Sequence, residues 1–331
     1  MEKINIDLKL EDDKINWNVK DDIPFNDACL KGDATAGDIK SGKIAYVKGE
    51  KITGTMNLAL EMIKNCKYRT HLFDHRSCLA NLLNEVGYDT RVEIGTFEYQ
   101  ESNTASLELQ YLFYYCSDLV KLPKLKLGTT VRYNGDSHLG PSYDFLFSYC
   151  KNLETLDVEF STYKGKSHNY GCFRSTFEGC NKLKEITLND IRIGQGYAMF
   201  MFDNQLETIR GKLSIISYWN ESVNSMFEQC SALKNVQFET IEQNLQLGSG
   251  TNWGHLLTLE SLLSAIQACY KMNSSRTLTV GTANLEKLAS VYVKVTDDSD
   301  THHYPFEVCE STDENALTIE QYMALKNWKV A

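Results

Sequence analysis

The chain has 331 residues, 42% of them hydrophobic and 24% charged, ordinary fractions that exclude collagen, mucin-like stalks and wholesale disorder. With 34 basic against 44 acidic residues the net charge is −10, which argues against non-specific nucleic-acid binding, since that needs a basic face. Ten cysteines are too sparse for a disulfide scaffold of this length, and no run of about eighteen apolar residues marks a membrane-spanning helix.

In chain order, the opening stretch MEKINIDLKLEDDK has no apolar segment, so no secretory signal is expected and folding in a reducing cytosol follows. Thr35 and Asp38 have the spacing that caps a single helical turn, and Gly42 ends it. Ile44–Val47 and Lys51–Thr53 then predict a hairpin around Lys48-Gly49-Glu50. A module of about 25 residues is too small to be stable alone. Cys66, His71, His75 and Cys78 offer four zinc-ligand types, with the histidines at i, i+4. Their spacing is not that of a zinc ribbon or finger, and Phe73 fits a degenerate copy of the repeat that follows, so a packed segment without metal is the expectation.

An internal repeat dominates the middle of the chain. Phe113, Cys116, Leu119 and Leu122 recur as Phe147, Cys150, Leu153 and Leu156, then as Phe177, Cys180, Leu183 and Ile186, and again as Phe227, Cys230, Leu233 and Val236. Phe200, Asp203, Leu206 and Ile209 form a degenerate copy, with Asp203 where the others carry Cys. The steps from Phe to Phe are 34, 30, 23 and 27 residues, so loops of variable length enter at one phase. In the four clear copies Leu109, Tyr143, Phe173 or Val223 stands four before the Phe and Leu112, Leu146, Thr176 or Met226 one before, an i, i+3, i+4 face that predicts a short helix. Alternation at Leu156-x-Val158, Ile186-x-Leu188 and Val236-x-Phe238 predicts a short strand after it. The expected fold is therefore α/β, a solenoid of one short helix and one short strand per repeat. Its cysteines should form a buried ladder of unpaired thiols. Packed helices lie about 8–10 Å apart, too far for the roughly 4.4–6.8 Å that a disulfide requires between Cα atoms.

Beyond the repeats, Leu259, Leu262, Leu263 and Ile266 predict an amphipathic helix. Leu278-Thr279-Val280 predicts a strand, the segment 295–317 an inserted loop or hairpin, and Thr318-x-x-Gln321 a capping box opening a last helix. This C-terminal part would cap the open end of the array.

Phosphate loops, nucleophile elbows, HExxH and dinucleotide fingerprints are all missing from the sequence, so neither catalysis nor a cofactor is expected. Asp297, Asp298, Asp300, His302 and His303 lack the Gly and the distal Glu of a calcium loop and read as a solvated turn. The loops after the strands carry Tyr133, Tyr163, Tyr170, Tyr197, Tyr218, Trp219 and Trp253. Insertions at one phase of a repeat emerge on one face, and aromatic rings with polar neighbours suit sugars and protein surfaces alike. These seven residues are the candidate ligand-binding set.

The rhythm of Met226-Phe227-Glu228-Gln229-Cys230-Ser231-Ala232-Leu233 resembles the BspA-type leucine-rich repeats of bacterial surface proteins and some phage proteins, over about residues 106–280. The string DATA-x-DI-x-SGK-x-AYV-x-GEKITGTM, within residues 32–56, is similar to a short module of tail, baseplate and fibre proteins of phages of Gram-positive bacteria. It departs from that module at Gly37 and Ile44. The closing Lys326-Asn327-Trp328-Lys329-Val330 resembles the end of phage leucine-rich-repeat proteins.

These resemblances imply a tail-attachment module at 1–60, a connecting segment at 61–105, repeats at 106–254 and a cap at 255–331. They imply a structural virion protein of the baseplate or tail fibre, assembled in the bacterial cytoplasm, that binds a host receptor through its repeats. Its partners would be other tail or baseplate proteins, and a glycopolymer or protein of the host surface. It would be oligomeric on the particle, without nucleic acid and without membrane insertion. The alternatives are a cellular BspA-like adhesin and a tail-borne wall hydrolase.

Overall fold

The structure is a computed structural model. It describes residues 109–127 (except 118), 143–160, 171–216, 223–250 and 252–331, with strand backbone at 9–11, 14–16, 44–47, 50–53 and 91–94. The chain divides into two compact units, Met1–Asn57 and Leu58–Ala331. In the first, β1 (Lys9–Glu11) pairs antiparallel with β2 (Lys14–Asn16), and β3 (Ile44–Val47) with β4 (Glu50–Thr53). Val47 faces Glu50, so β4 begins one residue earlier than the sequence suggests. The one-turn helix read at Thr35–Gly42 and the Cys66, His71, His75 and Cys78 quartet lie outside the described residues.

The second unit is built on a curled, parallel half-barrel sheet. Its strands are β5 (Arg91–Ile94), β6 (Lys124–Leu127), β7 (Thr155–Phe160), β8 (Gly171–Cys172), β9 (Glu185–Leu188), β10 (Ile191–Gln195), β11 (Thr208–Ile215) and β12 (Asn235–Ile241). β9 pairs with the first residues of β11 and β10 with the last, so these two lie end to end along one edge of β11. The break between them is sealed by side chains. Asn189 exchanges both of its amide bonds with the backbone of Phe160, and Asp190 accepts from the Lys212 N–H. Gly211, at φ 96°, lets β11 bend past this break, since a Cβ there would lie 2.4 Å from the Leu188 carbonyl oxygen. Alternate residues of β6, β7 and β9 are buried, as period-two patterning requires.

The helix-plus-strand leucine-rich-repeat solenoid is not what the chain builds. It forms an α/β fold with a curled sheet and few helices, and the segments read as helices before each Cys are successions of turns. The backbone shows why. Tyr143, Phe145, Phe147 and Tyr149 donate their N–H groups to Cys172, Arg174, Thr176 and Glu178 of the next coil. The residues between, Leu146, Ser148 and Cys150, donate three residues back, to Tyr143, Phe145 and Phe147. Left-handed residues recur at spacing four: Tyr111 and Tyr115, Phe145 and Tyr149, Ser175 and Gly179, Ala198 and Phe202, Ser225 and Gln229. No α-helix accommodates these, nor sends alternate N–H groups to a neighbour. Turns closed three residues back place apolar side chains at i and i+3 just as a helix does. The sequence period therefore does not separate the two.

The phase of the pattern does hold. Phe113, Phe147, Phe177, Phe200 and Phe227 are fully buried and stack nearly parallel, with centroids 5.2, 5.6, 5.2 and 5.6 Å apart in turn. Cys116, Cys150, Cys180 and Cys230 are buried free thiols. The Cys150, Cys180 and Cys230 thiols donate to the carbonyls of Phe113, Phe147 and Phe200 at 3.0, 3.2 and 2.9 Å. Burial raises the pKa of these three, which keeps them protonated and chemically quiet.

The C-terminal part follows the sequence closely. It holds β13 (Leu245–Gln246), α1 (Leu259–Ala268), β14 (Arg276–Thr279), α2 (Thr282–Leu288), β15 (Tyr292–Val295), β16 (Phe306–Cys309), β17 (Leu317–Thr318), α3 (Ile319–Leu325) and β18 (Trp328–Val330). β13, β14 and β18 form a parallel sheet, and β16, β15 and β17 an antiparallel one, so the inserted segment is a hairpin. Thr318 and Gln321 make the full capping box. α1 terminates the main sheet at β12. Ser261 and Ser264 accept the N–H groups of Val236 and Phe238 at 3.1 and 2.9 Å, groups that a further strand would otherwise claim.

Candidate binding surface

The loop-borne aromatic set is not brought together among the described residues. Tyr133, Tyr163, Tyr170, Tyr218 and Trp219 lie outside them. Tyr197 is 45% exposed, but it follows β10 rather than an open loop, because Ile191–Gln195 pairs with β11 and β8. Trp253 is core, at 5% exposure. Backbone packs closely around its loop, since a Cβ at Gly248 would stand 2.3 Å from the Val280 carbonyl oxygen and one at Gly254 2.1 Å from that of Leu247.

The acidic turn near residue 300 bonds mainly within itself, although His303 Nε2 is buried without a partner. Ser299 donates its N–H to Asp297, the N–H groups of His302 and His303 bond Asp300, and the His302 ring stacks on Tyr270 at 4.7 Å. Among the described residues no three metal-ligating side chains converge.

The open face of the sheet carries charges that neutralise one another across strands. Arg210 forks onto Glu185 at 2.8 and 3.0 Å, Lys234 pairs with Glu207 at 2.8 Å, and Lys124 reaches Asp157 at 3.8 Å. A shallow cleft of about 240 Å³ between Arg210, Gln237 and Glu260 lies on this face. Paired, exposed charges of this kind contribute little net attraction.

The turn edge of the coils is different. Tyr111 stacks on Phe145 at 4.8 Å and Tyr115 on Tyr149 at 4.6 Å. Tyr114 stands nearly perpendicular to all four rings, at centroid distances of 4.5–6.4 Å. Tyr115 is 36% exposed, and the other four are half-buried. The left-handed backbone of Tyr111, Tyr115, Phe145 and Tyr149 turns these rings outward while Phe113 and Phe147 turn inward.

The Tyr149 ring lies over Gly179, where a Cβ would meet its Cδ1 at 2.7 Å, and its hydroxyl donates to Glu178 at 2.7 Å. That bond to a carboxylate, ahead of burial, raises the Tyr149 pKa, so the hydroxyl stays a donor. The result is a rigid cluster of five rings bordered by one carboxylate. Sequence reasoning passed over this cluster, although its signal is there: aromatics stand two before and two after Phe113 and Phe147 alike.

Comparison with protein-family models, with curated proteins and with solved structures finds no match to this chain.

Proposed function

We propose that this chain is a structural component of a phage tail or phage-like tail particle, and that it binds the host surface through the turn edge of its coils. The observation that carries the binding role is the cluster of Tyr111, Tyr114, Tyr115, Phe145 and Tyr149, exposed in part and held rigid by mutual ring contacts. Pre-ordered aromatic side chains lose little entropy on binding and are frequent hot spots. The tail assignment rests on the resemblance of residues 32–56 to a tail-protein module, which makes the N-terminal unit the attachment part.

A double variant, Tyr115→Ser with Tyr149→Ser, tests the binding role on host cells or purified envelope. It should bind at least about tenfold more weakly. Unchanged binding by a variant that melts like wild type refutes the role of this edge. Immunogold labelling of particles tests the tail assignment separately, and particles free of this chain refute it.

A further inference from the structure

Asp203 occupies the cysteine position of its coil and is wholly buried. In the coils on either side the thiols reach back, Cys180 to the Phe147 carbonyl and Cys230 to the Phe200 carbonyl. The carbonyl at the matching place for Asp203 is that of Phe177, which accepts the Cys180 N–H at 3.2 Å. Asp203 Oδ1 accepts that same N–H at 2.7 Å, while Oδ2 is buried with no hydrogen-bond partner. An ionised carboxylate has no proton to offer a carbonyl, so a charged Asp203 leaves this rung open. A protonated one restores the donor that cysteine supplies elsewhere.

We propose that Asp203 is carried as the neutral acid with its Oδ2 proton directed at the Phe177 carbonyl, and that its ionisation is an alkaline release built into this coil. The groups acting on it agree with that. Glu178 and Cys180 stand in the coil before and Cys230 in the coil after, none of them a cation. Burial raises the Asp203 pKa well above the usual carboxylate range, against the opposing pull of the Cys180 and Gly179 N–H groups.

The sign of the linkage follows. Below about pH 4 both folded and unfolded chains hold the proton, and the stabilisation from this group is present in full. Above that the unfolded chain releases the proton first, so stability is lost as pH rises toward the folded-state value. The stack is tightest in acid and loosens at this rung in alkali.

The test compares urea unfolding of the full chain with that of Asp203→Asn, which keeps an acceptor and gives a permanent donor. Above about pH 5 the ratio of wild-type to variant folding constants should fall as pH rises, by at most about tenfold per pH unit, and level off once the folded chain ionises. A ratio independent of pH overturns the proposal. Asp203→Cys, which restores the ladder residue, serves should the Asn variant not fold. An infrared carbonyl band of a protonated carboxyl group at neutral pH should appear in wild type and vanish in either variant. Its absence from wild type equally overturns the proposal.

Discussion

Substitution of Gln229 separates turns from helices by sign alone. Gln229 is exposed and left-handed, at φ 62°, and the equivalent place in another coil is filled by Gly179 at φ 73°. The informative comparison is Gln229→Ala against Gln229→Gly, since both remove the same side chain beyond Cβ. In the left-handed region an L-residue costs about 1–2 kcal/mol. Glycine avoids that but loses about 0.5–1 kcal/mol more chain entropy on folding. The Gly variant should thus be the more stable of the two by about 0.5–1 kcal/mol. In a helix the order reverses, with Gly worse by about 1 kcal/mol. The swing is about 1.5–2 kcal/mol, well resolved by urea midpoints at a common m-value. Leu263→Ala and Leu263→Gly, in the middle of α1, supply the helical control, and Gly should be the worse there. A Gln229→Gly variant less stable than Gln229→Ala would refute the turn assignment.

Three further outcomes follow from the packing. Phe177→Ala removes a ring stacked on both sides and should cost about 3–5 kcal/mol in denaturant titration. Ser261→Ala with Ser264→Ala orphans the Val236 and Phe238 N–H groups. It should cost about 2–4 kcal/mol in urea, and light scattering should report new self-association through the opened edge of β12. Lys326 is buried against the Ile266 and Gln267 carbonyls and the Tyr322 ring, and burial lowers its pKa to about 7. The stability it contributes is present above the unfolded-state value of about 10.4 and is lost as pH falls through the folded value. The stability difference between wild type and Lys326→Met should therefore grow with pH between about 7.5 and 9.5, and a flat difference refutes the assignment.

What could be read from the residues was whatever depends on near neighbours. Period-two alternation marks β7, β9 and β12, Thr318 and Gln321 mark the start of α3, and the recurrence of Phe and Cys fixes which side chains line the interior. The hairpin of β3 and β4 is likewise legible, to within one residue, from Lys48-Gly49-Glu50 between two strand-forming runs. Each of these follows from side-chain period or from a cap within four residues.

The candidate site was legible only in part. Tyr115 and Tyr149 stand 34 residues apart in sequence, and nothing local says that one ring lies on the other. Trp253 looked like a loop residue, and its burial is a property of the folded chain that local sequence does not carry. Above all, tertiary structure decided between helix and turn. Apolar spacing is the same in both, and the choice rests on where alternate N–H groups find acceptors. Phe147 finds its acceptor at Thr176 and Phe177 at Met199, a full coil further on. Such a partner exists only once the coils have stacked, so local propensity cannot register it and the assembled core determines it.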